Sequence, residues 1–158
     1  MKIILVSACL LGLKYRYDGS SNINFELLKI LRGKLVKPVC PEVDGGLAIP
    51  RPPAEIIGGD GFDVLAGKAS IINNNGIDVT KFYVNGANKM LTGYSDNPDN
   101  ILMAILKARS PACGNKRIYS GKFDGNLKLG SGVGAALLKR KKINVYSEDN
   151  LKEINKLI

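Results

Sequence analysis

The chain contains no histidine, and its three cysteines are too few and too widely spread for a disulfide framework. No segment approaches the roughly 20 consecutive apolar residues that a membrane-spanning helix needs. The apolar start, residues 1–6, runs directly into a polar turn and lacks the longer apolar region of a secretion signal. These absences predict a cytoplasmic protein with no membrane partner, and they leave a zinc site short of its fourth protein ligand.

The charge is unbalanced, with 23 Lys plus Arg against 14 Asp plus Glu and a formal net charge of +9. A positive field favours anionic partners such as nucleotides, nucleic acid or acidic surfaces. One basic run, Lys139–Lys142, ends a predicted helix, where cations complement the helix dipole. A second basic group flanks Cys113 and comprises Lys107, Arg109, Lys116 and Arg117.

Strand and helix patterns alternate from end to end, which predicts one α/β domain over residues 1–158. We expect three layers around a mostly parallel, Rossmann-like central sheet, with one or two small β-hairpins. Strands are predicted over residues 3–8, 34–39, 101–106 and 143–146. Helices are predicted over residues 25–31, 82–91, 131–140 and 147–158.

The middle of the chain is rich in glycine and proline, and several features are expected there. Residues 41–67 are predicted to form a long loop, with at most a helical turn around Pro53–Ile56. Residues 64–72 resemble a hairpin that turns at Gly67, and residues 119–123 resemble a second hairpin. Residues 94–100 are expected to form a polar turn, and Ser131 is expected to cap the helix that follows it.

Three cysteines, Cys9, Cys40 and Cys113, each follow an apolar run that predicts a strand. The carboxyl ends of parallel strands share one rim, where sites gather, so the three thiols are expected to meet there. Three soft sulfur ligands without histidine suggest a metal or iron–sulfur centre with one open ligand position. Buried, inert thiols that serve only in packing are the alternative.

Two further side chains are expected at the same rim if the cysteines share a site. Glu42 follows Cys40 by two residues, and a carboxylate beside a reacting ligand can act as general acid or base. Ser110 precedes Cys113 by three residues, and its hydroxyl can orient a substrate or pass a proton. Alternatively, Glu42 is a solvated or helix-capping acid, and Ser110 belongs to an ordinary Ser-Pro turn.

Four residues are candidates for binding an anionic part of a substrate. Gly132 and Gly134 lie at a predicted helix start, where backbone N–H groups can cradle a phosphate. Arg16 and Arg51 lie in the loops that follow the first two cysteine strands. Each arginine can equally hold its own loop in place.

Several motifs together closely resemble the DUF523 family, which includes the TudS thiouracil desulfidases. The resemblance covers nearly the whole chain in order, and it is carried by Ser7–Gly12, Arg16–Gly19, Pro38–Glu42, Gly45–Leu47, Arg51–Ile56 and Ala108–Gly114. It implies a [4Fe–4S] cluster with three protein ligands, Cys9, Cys40 and Cys113, and one open iron.

The resemblance also implies a non-redox desulfidase that releases hydrosulfide from a thiolated pyrimidine, of the thiouracil or thio-UMP type. Glu42 would then be the acid/base, and Ser110 would position or protonate the substrate. The main alternative is a non-catalytic basic module that binds nucleotides or RNA, with packed cysteines. The chain shows no RNA-binding aromatic motif, so nucleic acid is not favoured as a partner. A zinc hydrolase with three thiolates and a water is a third interpretation.

Overall fold

The computed structural model describes residues 1–92 and 97–158. Within them the chain forms eight strands: β1 (Ile3–Ser7), β2 (Val36–Val39), β3 (Ala54–Ile57), β4 (Ser70–Asn73), β5 (Ile101–Leu106), β6 (Arg117–Tyr119), β7 (Leu127–Leu129) and β8 (Val145–Ser147). It also forms six α-helices: α1 (Phe25–Ile30), α2 (Pro41–Asp44), α3 (Gly61–Leu65), α4 (Thr80–Thr92), α5 (Val133–Arg140) and α6 (Leu151–Leu157). No described helix is long and apolar enough to cross a membrane.

Four parallel strands form the central sheet in the order β2-β1-β5-β8. The two middle strands, β1 and β5, are nearly continuous apolar runs, because the middle strands of a parallel sheet are covered on both faces. In β1, Leu5 contributes to the core on one face, whereas Ile4 and Val6 contribute to the core on the other. The predicted α/β fold with a parallel sheet is confirmed.

Helices cover both faces of this sheet. Apolar residues of α3, α4 and α5 belong to the larger core cluster, and those of α1 and α6 belong to the smaller one. Two antiparallel pairs, β3 with β4 and β6 with β7, lie outside the central sheet. The expected hairpin at residues 119–123 is the second of these pairs, and residues 120–126 form its connection.

The prediction of a long loop over residues 41–67 was wrong, because this segment contains α2, β3 and α3. Pro53–Ile56 does not make a helical turn, since Ala54–Ile57 pairs along its whole length with Ser70–Asn73. The predicted hairpin at Gly67 is also wrong, because Val64 and Leu65 end α3. The strand at Ala54–Ile57 forms because it pairs with residues distant in sequence. The local glycine and proline content does not predict such pairing.

The observed limits of the helices agree more closely with the limits predicted from the sequence. The predicted helix around 82–91 is α4, and the Asp78 carboxylate accepts a hydrogen bond from Thr80 N at 2.9 Å. The side chain of Ser147 caps a short 3-10 turn that leads into α6. Ser131 does not cap α5, whose N-cap residue is Gly132. The predicted polar turn at 94–100 lies partly outside the described residues.

Candidate active site

The carboxyl ends of β1, β2 and β5 open onto a cavity of about 330 Å³, which all three cysteines line. Cys9 lies in a 3-10 turn directly after β1, and Cys40 is the N-cap residue of α2. Cys113 lies in the loop after β5 and is buried. Each is a free thiol. The structure thus brings three residues that are distant in sequence to one cavity, as the strand-end pattern indicated.

Burial disfavours ionisation of all three thiols unless a cation compensates the negative charge of the thiolate. It raises the pKa of Cys40 to about 11, and it raises the pKa of Cys9 as well. The pKa of Cys113 is raised furthest, first by burial and then by the negative charge that Cys40 and Cys9 would carry. A bound metal cation would offset this penalty, because its positive charge stabilises the thiolate form of each coordinating cysteine.

Ser7 connects the cysteine loop to the central sheet. Its hydroxyl donates to the sulfur of Cys113 at 3.5 Å and accepts from Lys107 N at 2.8 Å. Ser7 is itself buried at the end of β1 and lines the cavity. The sequence interpretation did not assign Ser7 a role, although it begins the Ser7–Gly12 motif.

Ser110 lies at the cavity, where its oxygen helps to shape the cysteine loop. The hydroxyl oxygen accepts a hydrogen bond from Cys113 N at 2.8 Å, and the Ser110 carbonyl accepts one from Gly114 N at 2.9 Å. One lone pair of the hydroxyl is thus engaged, while its O–H group is still available as a donor.

Glu42 lines the cavity, and both of its carboxylate oxygens have partners. Oε1 accepts from the Tyr83 hydroxyl at 2.5 Å, and Oε2 forms an ion pair with Arg51. Tyr83 is buried, and burial raises its pKa well above the usual value, so that the phenol keeps its proton. The carboxylate is therefore fixed in orientation by two donors from distant parts of the chain.

Two glycines allow the close approach that joins Tyr83 to Glu42. A Cβ atom at Gly86 of α4 would lie 1.7 Å from the Pro41 carbonyl oxygen, and one at Gly45 would lie 2.0 Å from the Phe82 carbonyl oxygen. The backbones of α2 and α4 thus touch directly. Neither Tyr83 nor Gly86 was singled out from the sequence, and Gly45 entered only as part of the Gly45–Leu47 motif, because helix contacts of this kind leave no local signal.

The two candidate arginines lie in different environments. Arg16 lines the cavity, donates to the Ser20 hydroxyl at 3.2 Å, and lies with its guanidinium carbon 5.6 Å from the Tyr17 ring centroid. Arg51 is buried and is not among the lining residues. Besides pairing with Glu42, it donates to the Tyr15 carbonyl at 2.7 Å. Arg51 therefore supports Glu42 and the loop around Tyr15.

The predicted phosphate cradle at Gly132 and Gly134 does not lie at the cavity. The backbone N–H of Gly132 donates to the Gly114 carbonyl at 2.7 Å, and that of Gly134 donates to the Ala112 carbonyl at 2.8 Å. A Cβ atom at Gly132 would lie 2.6 Å from the Ala112 carbonyl carbon. The start of α5 thus packs on the cysteine loop, and its N–H groups are already used there.

The three cysteines and Glu42 line the cavity, and their side chains do not converge on one point. Among residues 1–92 and 97–158, no three Cys, Asp or Glu side chains form a group that could hold a single metal ion. In an iron–sulfur cluster each thiolate binds a different iron atom. Sulfur ligands for a cluster therefore need to face one cavity without converging on one atom, which is the arrangement of the three cysteines here.

Comparisons with known proteins agree along almost the whole chain. A family model described as 2-thiouracil desulfurase matches residues 4–150. The chain is 46% identical to the uncharacterized protein YbbK of Bacillus subtilis (strain 168), over 96% of this chain and 99% of the relative. A solved structure described as the [4Fe-4S]-dependent thiouracil desulfidase TudS is 41% identical, with a TM-score of 0.83, over 98% of this chain and 95% of that chain.

Proposed function

Because the chain belongs to the 2-thiouracil desulfurase family, we propose that it is a [4Fe–4S]-dependent desulfidase acting on a thiolated pyrimidine. The reaction is non-redox: the ring carbon exchanges its C–S bond for a C–O bond, with water as the oxygen source and hydrosulfide as the product. The placement of three free cysteines, Glu42 and Ser110 around one cavity is the observation that carries this proposal.

Cys9, Cys40 and Cys113 are the residues that would hold the cluster. Thiolate donors suit iron, and the sequence has no fourth cysteine and no histidine to complete the set, so one iron of the cluster would keep a position for an outside ligand. When bound, the cluster supplies a Lewis acid for the soft sulfur atom of the substrate. This open position distinguishes a reactive site from one that only transfers electrons.

Glu42 is the general base in this proposal. Its carboxylate lines the cavity, and accepting a proton from the attacking water makes that water a better nucleophile. Tyr83 and Arg51 hold the two oxygens in place, so little reorganisation is needed when the proton moves. Returning the proton to a ring nitrogen or to the departing sulfur completes the proton balance.

Ser110 and Arg16 position the substrate. The Ser110 hydroxyl has a donor available at the cavity, suited to a ring nitrogen or an exocyclic oxygen of the pyrimidine. Arg16 places a positive charge on the cavity wall, where it suits the phosphate of a nucleotide such as thio-UMP. A small thiolated base or its monophosphate is therefore the proposed substrate.

The first test is to measure iron and acid-labile sulfide on protein purified or reconstituted without oxygen. About four of each per chain are expected, with a broad brown absorbance. Cys→Ala substitution at position 9, 40 or 113 should remove the colour and the release of hydrosulfide from 2-thiouracil. A coloured, active Cys113→Ala protein would contradict the ligand assignment.

Glu42→Gln separates catalysis from cluster binding. This variant should retain iron and sulfide near wild-type levels but lose turnover by about 100-fold or more, because a neutral amide cannot accept the proton. Ser110→Ala should retain activity at a reduced level. If Glu42→Gln releases hydrosulfide at the normal rate, another group is the base.

A further inference from the structure

Aromatic residues are concentrated at the cavity in the part of the chain that the structure describes. The sequence has six tyrosines, four phenylalanines and no tryptophan. Of the nine aromatic residues within residues 1–92 and 97–158, five line the cavity: Tyr15, Tyr17, Tyr83, Tyr119 and Phe123. Tyr17, Tyr119 and Phe123 keep 41%, 38% and 40% exposure. Solvent-exposed aromatic side chains gathered at one cavity are characteristic of a ligand surface.

Two of these aromatic residues belong to the β6–β7 hairpin, which a buried carboxylate holds against β3. Oε1 of Glu55 accepts hydrogen bonds from Gly121 N at 2.9 Å and from Phe123 N at 3.2 Å. Glu55 is only 8% exposed. The Lys128 ammonium also donates to the Ile56 carbonyl at 3.1 Å. The hairpin is thus fixed in position relative to the cavity.

Phe123 adopts a backbone conformation that its residue type disfavours. Its φ of +53° lies in the left-handed region, which costs free energy for a residue with a Cβ atom. The hydrogen bond from Phe123 N to Glu55 offsets that cost, while the phenyl ring stays partly exposed at the cavity. A strained backbone that presents an exposed ring at a cavity indicates a functional position.

We propose that Tyr119 and Phe123 form a stacking wall for the pyrimidine ring, with Glu55 as its positioning residue. This inference rests on the proposed function, because it concerns the same cavity. Aromatic side chains bind the flat π-face of a base without reading its hydrogen-bonding edge. The wall therefore sets substrate affinity, whereas Glu42 and the cysteines set the rate of the chemical step.

Phe123→Leu and Tyr119→Leu test the wall, since leucine keeps an apolar side chain and removes the ring. In the cluster-loaded protein each should raise the KM for 2-thiouracil about fivefold to tenfold. The iron content and kcat should stay within about twofold of wild type. Calorimetric titration with uracil, which has the ring but no sulfur, should show a matching rise in Kd. Phe25→Leu is the control, because Phe25 is 68% exposed and does not line the cavity.

The Glu55 variants separate positioning from general stability. Glu55→Ala should raise the KM and the Kd for uracil with little change in kcat. Glu55→Gln should restore both values nearly to wild type, because its amide oxygen can accept the same two N–H groups. A loss of activity that the glutamine variant does not reverse would contradict the positioning role.

The outcomes distinguish this inference from the proposed function. Turnover of 2-thiouracil with an unchanged KM and uracil Kd in both leucine variants overturns the stacking wall alone. Uracil binding that depends on Phe123, in a cluster-loaded protein without desulfidase activity, supports the wall and overturns the proposed reaction. A wild-type protein that turns over neither 2-thiouracil nor thio-UMP and binds neither uracil nor UMP overturns both.

Discussion

The Tyr83 hydroxyl donates a hydrogen bond of 2.5 Å to Oε1 of Glu42, a residue 41 positions earlier in the chain. The bond joins the first turn of α4 to the short helix that begins beside Cys40. Because Arg51 pairs with the other carboxylate oxygen, Glu42 has little freedom to rotate. In its proposed role as general base, Glu42 is therefore oriented for proton transfer before substrate arrives.

Tyr83→Phe should lower kcat by about tenfold and leave the KM for 2-thiouracil within twofold. The phenyl ring fills the same space, but Oε1 of Glu42 loses its donor and its fixed direction. Steady-state hydrosulfide release on protein of matched iron content measures the effect. Tyr146→Phe is the control, since Tyr146 packs against the other core cluster. Wild-type kcat in Tyr83→Phe would show that this hydrogen bond plays no part in turnover.

The same tyrosine predicts how stability depends on pH. Burial, followed by the charge of Glu42, raises the pKa of Tyr83 well above 10.0. An unfolded tyrosine loses its proton near pH 10, whereas the folded one keeps it, so stability is full below pH 10 and falls as the pH rises above it.

Urea unfolding at pH 9 and pH 11 should therefore show a larger loss of stability in wild type than in Tyr83→Phe. The phenylalanine variant lacks the titrating group but keeps every other lysine, tyrosine and cysteine. Parallel pH dependence in the two proteins would contradict the assigned burial effect.

The placement of Cys9 and Cys40 at one rim of the sheet could be predicted from the sequence, whereas the support for Glu42 could not. Cys9 and Cys40 follow strands closely, and a rule of parallel-sheet topology brings such positions to one rim. The motifs identified the family, and the family match confirms that identification and the expectation of a desulfidase enzyme. Tyr83 reaches Glu42 only because two helices touch at Gly45 and Gly86. Gly45 belongs to the Gly45–Leu47 motif, but neither that motif nor the apolar periodicity of α4 predicted its contact with the neighbouring helix.

The remaining errors have the same physical origin. Ala54–Ile57 pairs with a strand that begins thirteen residues after it ends, and nearby prolines and glycines suggested a loop instead. Gly132 was interpreted as a phosphate site, but its N–H is donated to the Gly114 carbonyl. Hydrophobic periodicity predicted the central sheet and α4 because those elements bury a regular apolar face. Backbone contacts between segments that are distant in sequence form only in the folded protein, so local sequence patterns did not predict them.

Glu148→Ala should lower the free energy of unfolding by about 1–3 kcal/mol, because two donors at the end of β5 lose their acceptor. Oε1 of Glu148 pairs with the Lys107 ammonium at 2.5 Å, and Oε2 accepts from Ala108 N at 2.8 Å. Glu148→Gln should fall between the alanine variant and wild type, since its amide oxygen can still accept one bond. Urea unfolding measures both, and equal stability of all three proteins would contradict this role.

Gly86→Ala should destabilise the protein, although alanine is the better helix former by about 1 kcal/mol. The added methyl group would lie 1.7 Å from the Pro41 carbonyl oxygen, so α2 must move away from α4. That movement pulls Glu42 from Tyr83 and displaces Cys40, which precedes α2 directly. We expect a loss of about 2–4 kcal/mol in unfolding free energy, together with weak iron retention. Asn85→Ala, an exposed neighbour on α4, is the matched control and should gain stability or stay unchanged. If Gly86→Ala were as stable and as rich in iron as Asn85→Ala, the contact between α2 and α4 would not be what fixes Glu42 and Cys40 at the cavity.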